Sequence, residues 1–533
     1  MSSSDYEGWT REELISRLHE LEHTQSKRTQ QPLSPKPEAN TFNFSSHARR
    51  KIAIKFCYSG WEYNGLAFQN MKTSLPTVES VLFDAFVKAR LIDPAAGFDG
   101  CGWEKCGRTD RGVSAAGQVI SLWVRSALGS GTGDQSALST AVGSSHSKKS
   151  TSEGRPDDRD NAGISSRDAF DTTAGLEFAF DEDDLIPTPY PNKLTSAKSA
   201  NSEHDYLSIL NRLLPPTIRV LAWSPVSDNF SARFSCSYRH YKYFFSTAAP
   251  GRTLDIDRMR VAASRLIGSH DFRNLCKLDP GKQITMFRRK VMRADIEPLN
   301  EYPDGMYVFN LVGSAFLYHQ VRHIMAVLFL VGSGLEDPFV VTSLMNVEEG
   351  SELAVQDGDV PPAIEVVNRK PEYQMADALP LLLWECGYPE NELSWRTTPS
   401  EDRCISRGNG IGNESGTELY QQLDGIYSRS QVYTALNNHF VSAASVHHLP
   451  PDPNNNYQQI TQAVPHVPPM KLLIPLGGGT YKRTSQDKYV PLLQRNRLDT
   501  VEVMNERWRL GKGFRRNERR KAAEDAADDD GDE

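Results

Sequence analysis

Residues 106–122 read CGRTDRGVSAAGQVISL, and the change of character inside this stretch organises the reading of the whole chain. Its second half runs on as QVISLWVR (118–125), rich in β-branched and aromatic residues, and reads as a strand. The first half reads as a loop, with Gly107, Gly112 and Gly117 grouped around Asp110 and with Arg108 and Arg111 close by. Adjacent cations favour an ionised carboxylate, and glycines let a backbone approach a bulky ligand. An ordinary turn accounts for T-D-R-G as well, because Asp and Gly are favoured in turns for local reasons. On this loop alone both readings stand.

Upstream, KIAIKFCY (51–58) alternates so that Ile52, Ile54, Phe56 and Tyr58 share one face of a strand. PTVESVLFDAFVKAR (76–90) reads as a helix with Val78, Val81, Leu82, Ala85, Phe86 and Ala89 on one stripe and Thr77 as its N-cap. Downstream the pattern recurs. Helices are expected over 204–215, 256–268 and 315–332, and strands over 218–226, 237–246 and 306–313. Strands mixed with helices, without regular βαβα alternation, predict an α+β body with largely antiparallel sheet that closes near ALPLLLWECGY (378–388).

Composition adds boundaries. The chain has 533 residues and a formal net charge of −8. No apolar run reaches about 18 residues, so no transmembrane helix is expected. The start, MSSSDYEGWTREEL, lacks the basic and apolar regions of a secretory signal. Seven cysteines without a CxxC argue against a disulfide framework and against a zinc site, and predict reduced thiols. Taken whole, −8 speaks against nucleic acid. Residues 522–533, however, hold seven acids and no base, and the polar segments 126–175 and 396–465 each carry −2. The remainder is therefore +3, and its bases cluster.

KQITMFRRKVMR (282–293) holds five Lys/Arg and no acid, and SARFSCSYRHYKYFF (231–245) interleaves Arg233, Arg239, His240 and Lys242 with Tyr238, Tyr241, Tyr243 and Phe244. Such a mixture neutralises phosphates and stacks on unpaired bases, although a solvated strand with a buried aromatic side shows the same pattern. In the helix expected from Ala315, Arg322 shares a stripe with Tyr318, Met325 and Phe329. An arginine there requires a carboxylate or phosphate, with Asp110 a candidate, unless it snorkels to solvent.

CGRTDRGVSAAGQV, SARFSCSYRHYKYFF, GSHDFRNLCK (268–277) and GSAFLYHQVRHIM (313–325) follow one another in the order of the motifs of the TruA-type tRNA pseudouridine synthases. Over residues 51–125 and about 205–390 the chain resembles that family. It is most similar to the eukaryotic branch acting at tRNA positions 38/39, by its N-terminal YEGWTREELISRLHELE, its ALPLLLWECGYP and its basic C-terminal extension. The resemblance implies the pseudouridine synthase fold: two ferredoxin- or RRM-like halves, with largely antiparallel sheets, flanking a central catalytic cleft.

The expected boundaries are an N-terminal helix and linker (1–48), a first catalytic half (49–125 plus 176–225, interrupted by a disordered insertion at 126–175) and a second half (226–395). A polar, disordered insertion (396–465), a basic extension (466–521) and an acidic tail (522–533) follow. By resemblance Asp110 is the catalytic aspartate, Arg322 its partner, and Arg108 the residue that props the space left by a flipped nucleotide. Tyr241 stacks on the target base, with Arg233, Arg239 and Lys242 beside it as substrate contacts. The family uses no metal and no cofactor. Its substrate is tRNA, here the anticodon stem-loop, with no membrane partner, and bacterial relatives imply a homodimer. The RRNERRK run (515–521) fits a nuclear signal or an RNA contact, so nucleus and cytoplasm are the expected compartments. Other readings are a non-catalytic RRM-like RNA-binding protein, a synthase acting at other tRNA uridines, and an interaction scaffold built on the insertions.

Overall fold

The computed structural model describes residues 42–71, 73–128, 202–249, 252–300, 305–349, 365–399, 414–448, 471–485 and 488–518. The chain forms two units, 1–46 and 47–533. Of the first only residues 42–46 are described, with a 3-10 turn at Phe44–Ser46. The helix expected over 10–22, the acidic tail and nearly all of 126–175 lie outside the described residues.

In the second unit alternation and amphipathic periodicity produce thirteen strands among the described residues. They are β1 (Arg49–Tyr58), β2 (Glu104–Lys105), β3 (Ser114–Arg125), β4 (Ile218–Pro225), β5 (Tyr238–Ser246), β6 (Ala248–Ala249) and β7 (Arg252–Thr253). β8 (Gly268–Asp271), β9 (Arg288–Pro298), β10 (Met306–Gly313), β11 (Leu381–Gly387), β12 (Lys471–Gly477) and β13 (Thr480–Ser485) complete the set. One sheet runs β4-β1-β3-β11-β5-β10-β9-β8, with β2 also paired to β3. Its first part, β4-β1-β3-β2, is a βαββαβ unit with helices Val78–Lys88 and Tyr206–Leu213. Its second, β11-β5-β10-β9, repeats that order with helices Ile256–Ser264 and Gln320–Gly332. The expected α+β fold of two ferredoxin-like halves is thus present, with the halves fused into a single sheet.

The fusion depends on β2 being short. It occupies the edge of β3 only opposite Ser121 and Ile120, which leaves Ser114 and Ala115 free to pair in parallel with Leu382 and Leu383 of β11. Every other pairing in the sheet is antiparallel. Gly117, expected in the loop, belongs to β3. A Cβ there would lie 2.6 Å from the Trp384 carbonyl oxygen, so the junction requires glycine.

Ile52, Ile54, Phe56 and Tyr58 are all buried, as their alternation predicts. Thr77 caps the Val78–Lys88 helix, accepting from the Ser80 N–H at 3.2 Å while Ser80 Oγ accepts from the Thr77 N–H. Glu79, wholly buried on that helix, accepts from Lys105 Nζ (2.6 Å), Trp103 Nε1 and the Phe68 N–H.

Two further expectations fail. The apolar helix begins at Gln320 instead of Ala315, because His319 adopts a left-handed conformation (φ 57°). Tyr318 consequently lies outside the stripe that carries Arg322. Within 396–465, Glu414–Ser445 is a 32-residue α-helix instead of a disordered segment. Its ELYQQLDGIYSRSQVYTAL run contains no proline and few charges, and the helix's apolar side chains Tyr420, Val432 and Phe440 are exposed. The C-terminal extension is folded onto the second half. Tyr243 donates from its hydroxyl to Asp377 O (3.0 Å) and Leu476 O (3.2 Å), tying β12 to β5. No helix among the described residues is long and apolar enough to cross a membrane.

Candidate active site

The loop between β2 and β3 is held from three sides. Tyr58 Oη lies 2.6 Å from Thr109 Oγ1, the Leu66 N–H donates to Thr109 O (3.2 Å), and Gln118 Nε2 donates to Gly107 O (2.9 Å). The loop closes on itself through Val113 N–H to Asp110 O (3.1 Å), with Gly112 at φ 84°. Gly65, also at φ 84°, runs so close beneath that a Cβ would sit 3.0 Å from Thr109 O. These restraints fix the backbone from which Asp110 projects.

The facing wall comes from the second half. A cleft of about 700 Å³ is lined by Asp110 and Arg108 on one side, and by Tyr241 of β5, Phe316, His319 and Arg322 on the other. Arg322, one turn into the Gln320–Gly332 helix, puts Nη1 3.8 Å from Asp110 Oδ2. Its Nε donates to Ala376 O at 2.8 Å, which anchors the guanidinium. At 3.8 Å the attraction to Asp110 is Coulombic and not a hydrogen bond. His319 Nε2 is closer, 3.2 Å from the same oxygen. The carboxylate oxygen therefore faces both a guanidinium and an imidazole across the cleft.

Tyr241 is 8% exposed and packs edge-on against Phe316 at 5.1 Å between ring centroids. Burial pushes its phenol upward, so the hydroxyl keeps its proton. Arg108 is exposed at the cleft, and Arg233 lies over the exposed Phe234 ring at 5.1 Å. Arg239 lines the cleft, but its guanidinium is occupied by three backbone carbonyls, Cys106 O, Arg233 O and Ser314 O, at 2.8–3.1 Å. It ties the Asp110 loop to the second half.

Lys242 departs from expectation. Being next to Tyr241 on a strand, it points to the other face of the sheet and stacks over Trp384 at 4.1 Å, away from the cleft. In the basic run, Lys282 and Arg289 line the cleft, whereas Arg293 pairs with Asp295 and Glu297. Sequence reasoning missed His319, although it stands in the quoted YHQVR motif; the signal was a histidine three residues before Arg322. It also missed that the Cys106, Cys236 and Cys386 thiols lie near one another.

The family model described as tRNA pseudouridine synthase matches residues 262–363. The chain is 33% identical over 524 residues to the tRNA pseudouridine(38/39) synthase of Saccharomyces cerevisiae, covering 95% of this chain and 92% of that one. The chain belongs to the tRNA pseudouridine synthase family. To the human protein of the same name the identity is 34% over 409 residues, or 73% of this chain and 68% of the human one. The tRNA pseudouridine synthase A of Methanosarcina mazei is 29% identical over 57% of this chain and 80% of its own length. As a pseudouridine synthase the chain is an isomerase whose substrate is tRNA. The matched segment 262–363 contains the Arg322 helix but stops short of β11, and Asp110 comes from the other half.

Proposed function

We propose that the cleft receives a tRNA anticodon stem-loop and converts the uridines at positions 38 and 39 to pseudouridine, with Asp110 acting on the ribose. The observation that carries this reading is the convergence of Asp110, Arg322 and Tyr241, from opposite halves, on one cleft. The yeast and human relatives named above support the positions. A non-catalytic RNA-binding module has no need of a braced carboxylate facing both an arginine and a histidine.

The reaction breaks N1–C1′, turns the uracil and joins C5 to C1′. C5 loses a proton and N1 gains one, so the atoms balance without a co-reactant. Positive charge develops on the sugar as the glycosidic bond breaks. A carboxylate answers it by attacking C1′, or by removing the 2′ proton to give a glycal. Arg322 places its positive charge beside that carboxylate. A base in the stack is out of reach, so the nucleotide flips at a cost of a few kcal/mol. Stacking on Tyr241, worth about 1–3 kcal/mol, offsets much of that cost. Arg108 fills the space vacated in the helix, and Arg233, Lys282 and Arg289 meet phosphates. A homodimer, implied by the family resemblance, and residence in nucleus and cytoplasm, supported by the basic run 515–521, belong to the same proposal. Light scattering and imaging of a tagged chain test those two points.

The central test uses unmodified tRNA and carbodiimide-stop primer extension. Asp110→Asn should abolish the stops assigned to 38 and 39 while tRNA affinity stays within a few-fold. Retained turnover overturns the assignment of Asp110, and stops at other uridines overturn the assigned positions.

A further inference from the structure

Of the side chains around the cleft, His319 has the least ordinary setting. It is one of three non-glycine residues with positive φ among those described, at φ 57°, ψ 15°. Such a conformation is uncommon for a residue with a Cβ, and strain of this kind concentrates at functional sites. His319 is the N-cap of the Gln320–Gly332 helix, yet its side chain makes no capping hydrogen bond. It is turned instead toward the other half of the molecule, with Nε2 3.2 Å from Asp110 Oδ2. The side chain is 8% exposed, and its ring lies on Tyr318 with centroids 3.8 Å apart. Tyr318 is itself covered by Lys282 at 4.1 Å, and its carbonyl accepts from the Lys277 N–H. The imidazole is therefore clamped.

The tautomer follows from the other nitrogen. Nδ1 is buried and has no hydrogen-bond partner among the described residues. A proton placed there would be a buried, unsatisfied donor, and Nε2 would then meet the carboxylate lone pair to lone pair. The favourable arrangement places the proton on Nε2, the nitrogen that lies 3.2 Å from Asp110 Oδ2. Arg322 approaches the same oxygen from one helical turn further on.

We propose that His319 is a positioning residue for Asp110. Its Nε2, 3.2 Å from Oδ2, confines that oxygen jointly with Arg322, so that Oδ1 is the oxygen presented to the ribose. This deepens the reading of Asp110 as the group that acts on the sugar, and rests on it. Two contacts on one carboxylate oxygen fix the rotation of the carboxyl plane, which a single contact at 3.8 Å does not.

The experiment uses the full chain, unmodified tRNA transcript and single-turnover pseudouridine formation, with tRNA dissociation constants measured separately. His319→Phe keeps a ring on Tyr318 and removes the donor, whereas His319→Gln returns an N–H at nearly the same reach. His319→Phe should slow the reaction about 100-fold, the size expected for losing an oriented donor or misplacing a reacting group. Its tRNA affinity should stay within about three-fold of wild type, because binding rests on phosphate contacts elsewhere. His319→Gln should recover at least ten-fold of the loss. Phe at the wild-type rate, or Phe and Gln equally slow, overturns the proposal.

A readout free of activity guards against misfolding. If His319 holds Asp110, the fall in thermal stability caused by His319→Phe should shrink in an Asp110→Ala background. Undiminished loss there also overturns it. Should Asp110→Asn prove active, the catalytic reading falls and this proposal with it. The stability cycle still reports whether the two side chains are coupled, so the two failures are separable.

Discussion

Gly117→Ala tests whether the junction between β3 and β11 sets the geometry of the site. An ideal Cβ at 117 lies 2.6 Å from Trp384 O and 3.3 Å from the Glu385 Cα, against the 3.4 Å at which ordinary contact begins. The strands must therefore part by roughly 0.8 Å, the difference between the two distances. Their pairing has little to resist this with, since only Ser114 and Ala115 are matched to Leu382 and Leu383. β3 carries the Asp110 loop, and Leu383 is the cross-strand partner of Tyr241. Parting β3 from β11 accordingly separates the two functional walls.

Overpacking of this kind costs about 1–3 kcal/mol of stability. A displacement approaching 1 Å costs on the order of 10²-fold in rate. Single-turnover pseudouridine formation and a urea melt should show both losses, with tRNA affinity changed less than the rate. Gly425→Ala is the control. It lies in the exposed Glu414–Ser445 helix, where an added Cβ meets nothing within 4 Å, so activity should be unchanged. If Gly117→Ala matches wild type in rate and stability, the junction does not govern the site.

If stacking by Tyr241 dominates, Tyr241→Phe should keep most of the single-turnover rate and Tyr241→Ala should lose about 5- to 150-fold, the equivalent of about 1–3 kcal/mol; equal losses would assign the effect to the hydroxyl. Glu79→Ala leaves Lys105, Trp103 Nε1 and the Phe68 N–H without their buried acceptor, and should cost about 3–5 kcal/mol in denaturant unfolding; a loss under about 1 kcal/mol would refute that role. Burial alone would raise the Glu203 carboxyl, but hydrogen bonds from Ser126, the Ala127 and His204 N–H groups, and Arg50 outweigh it and hold it below the ordinary value. Its stabilising contribution is therefore complete above the unfolded carboxylate value near 4.3 and is lost as pH falls through the lower folded value. Melts of wild type and Glu203→Gln should differ at pH 7 and converge once pH has fallen through the lowered folded value; a gap that stays constant with pH would refute this.

Most regular elements were legible because their signals are local. Alternation marked Arg49–Tyr58, strong β formers marked Tyr238–Ser246, and the Thr77 cap marked the start of the Val78–Lys88 helix. The exceptions trace to contacts across the fold. His319 leaves the helical region to reach Asp110, so the helix starts five residues after its apolar stripe begins. Gly117 looks like a loop glycine beside Gly112 and is a strand glycine because a distant carbonyl presses on it. Lys242 follows Tyr241 in an aromatic-basic run that reads as one RNA surface, yet adjacent strand residues face opposite sides. The Glu414–Ser445 helix hides in a segment whose flanks are rich in turn residues.

By itself the sequence determined which segments form strands and helices, the resemblance to the pseudouridine synthases, and the candidacy of Asp110, Arg322 and Tyr241, because side-chain type and spacing act over a few residues. Tertiary structure decided that these three meet, that Arg239 braces a backbone where substrate contact was expected, that Lys242 turns away and that His319 stands against Asp110. The meeting of Asp110 with Arg322, Tyr241 and His319 depends on one short parallel pairing, left open by a two-residue β2, between residues more than 260 positions apart in the chain.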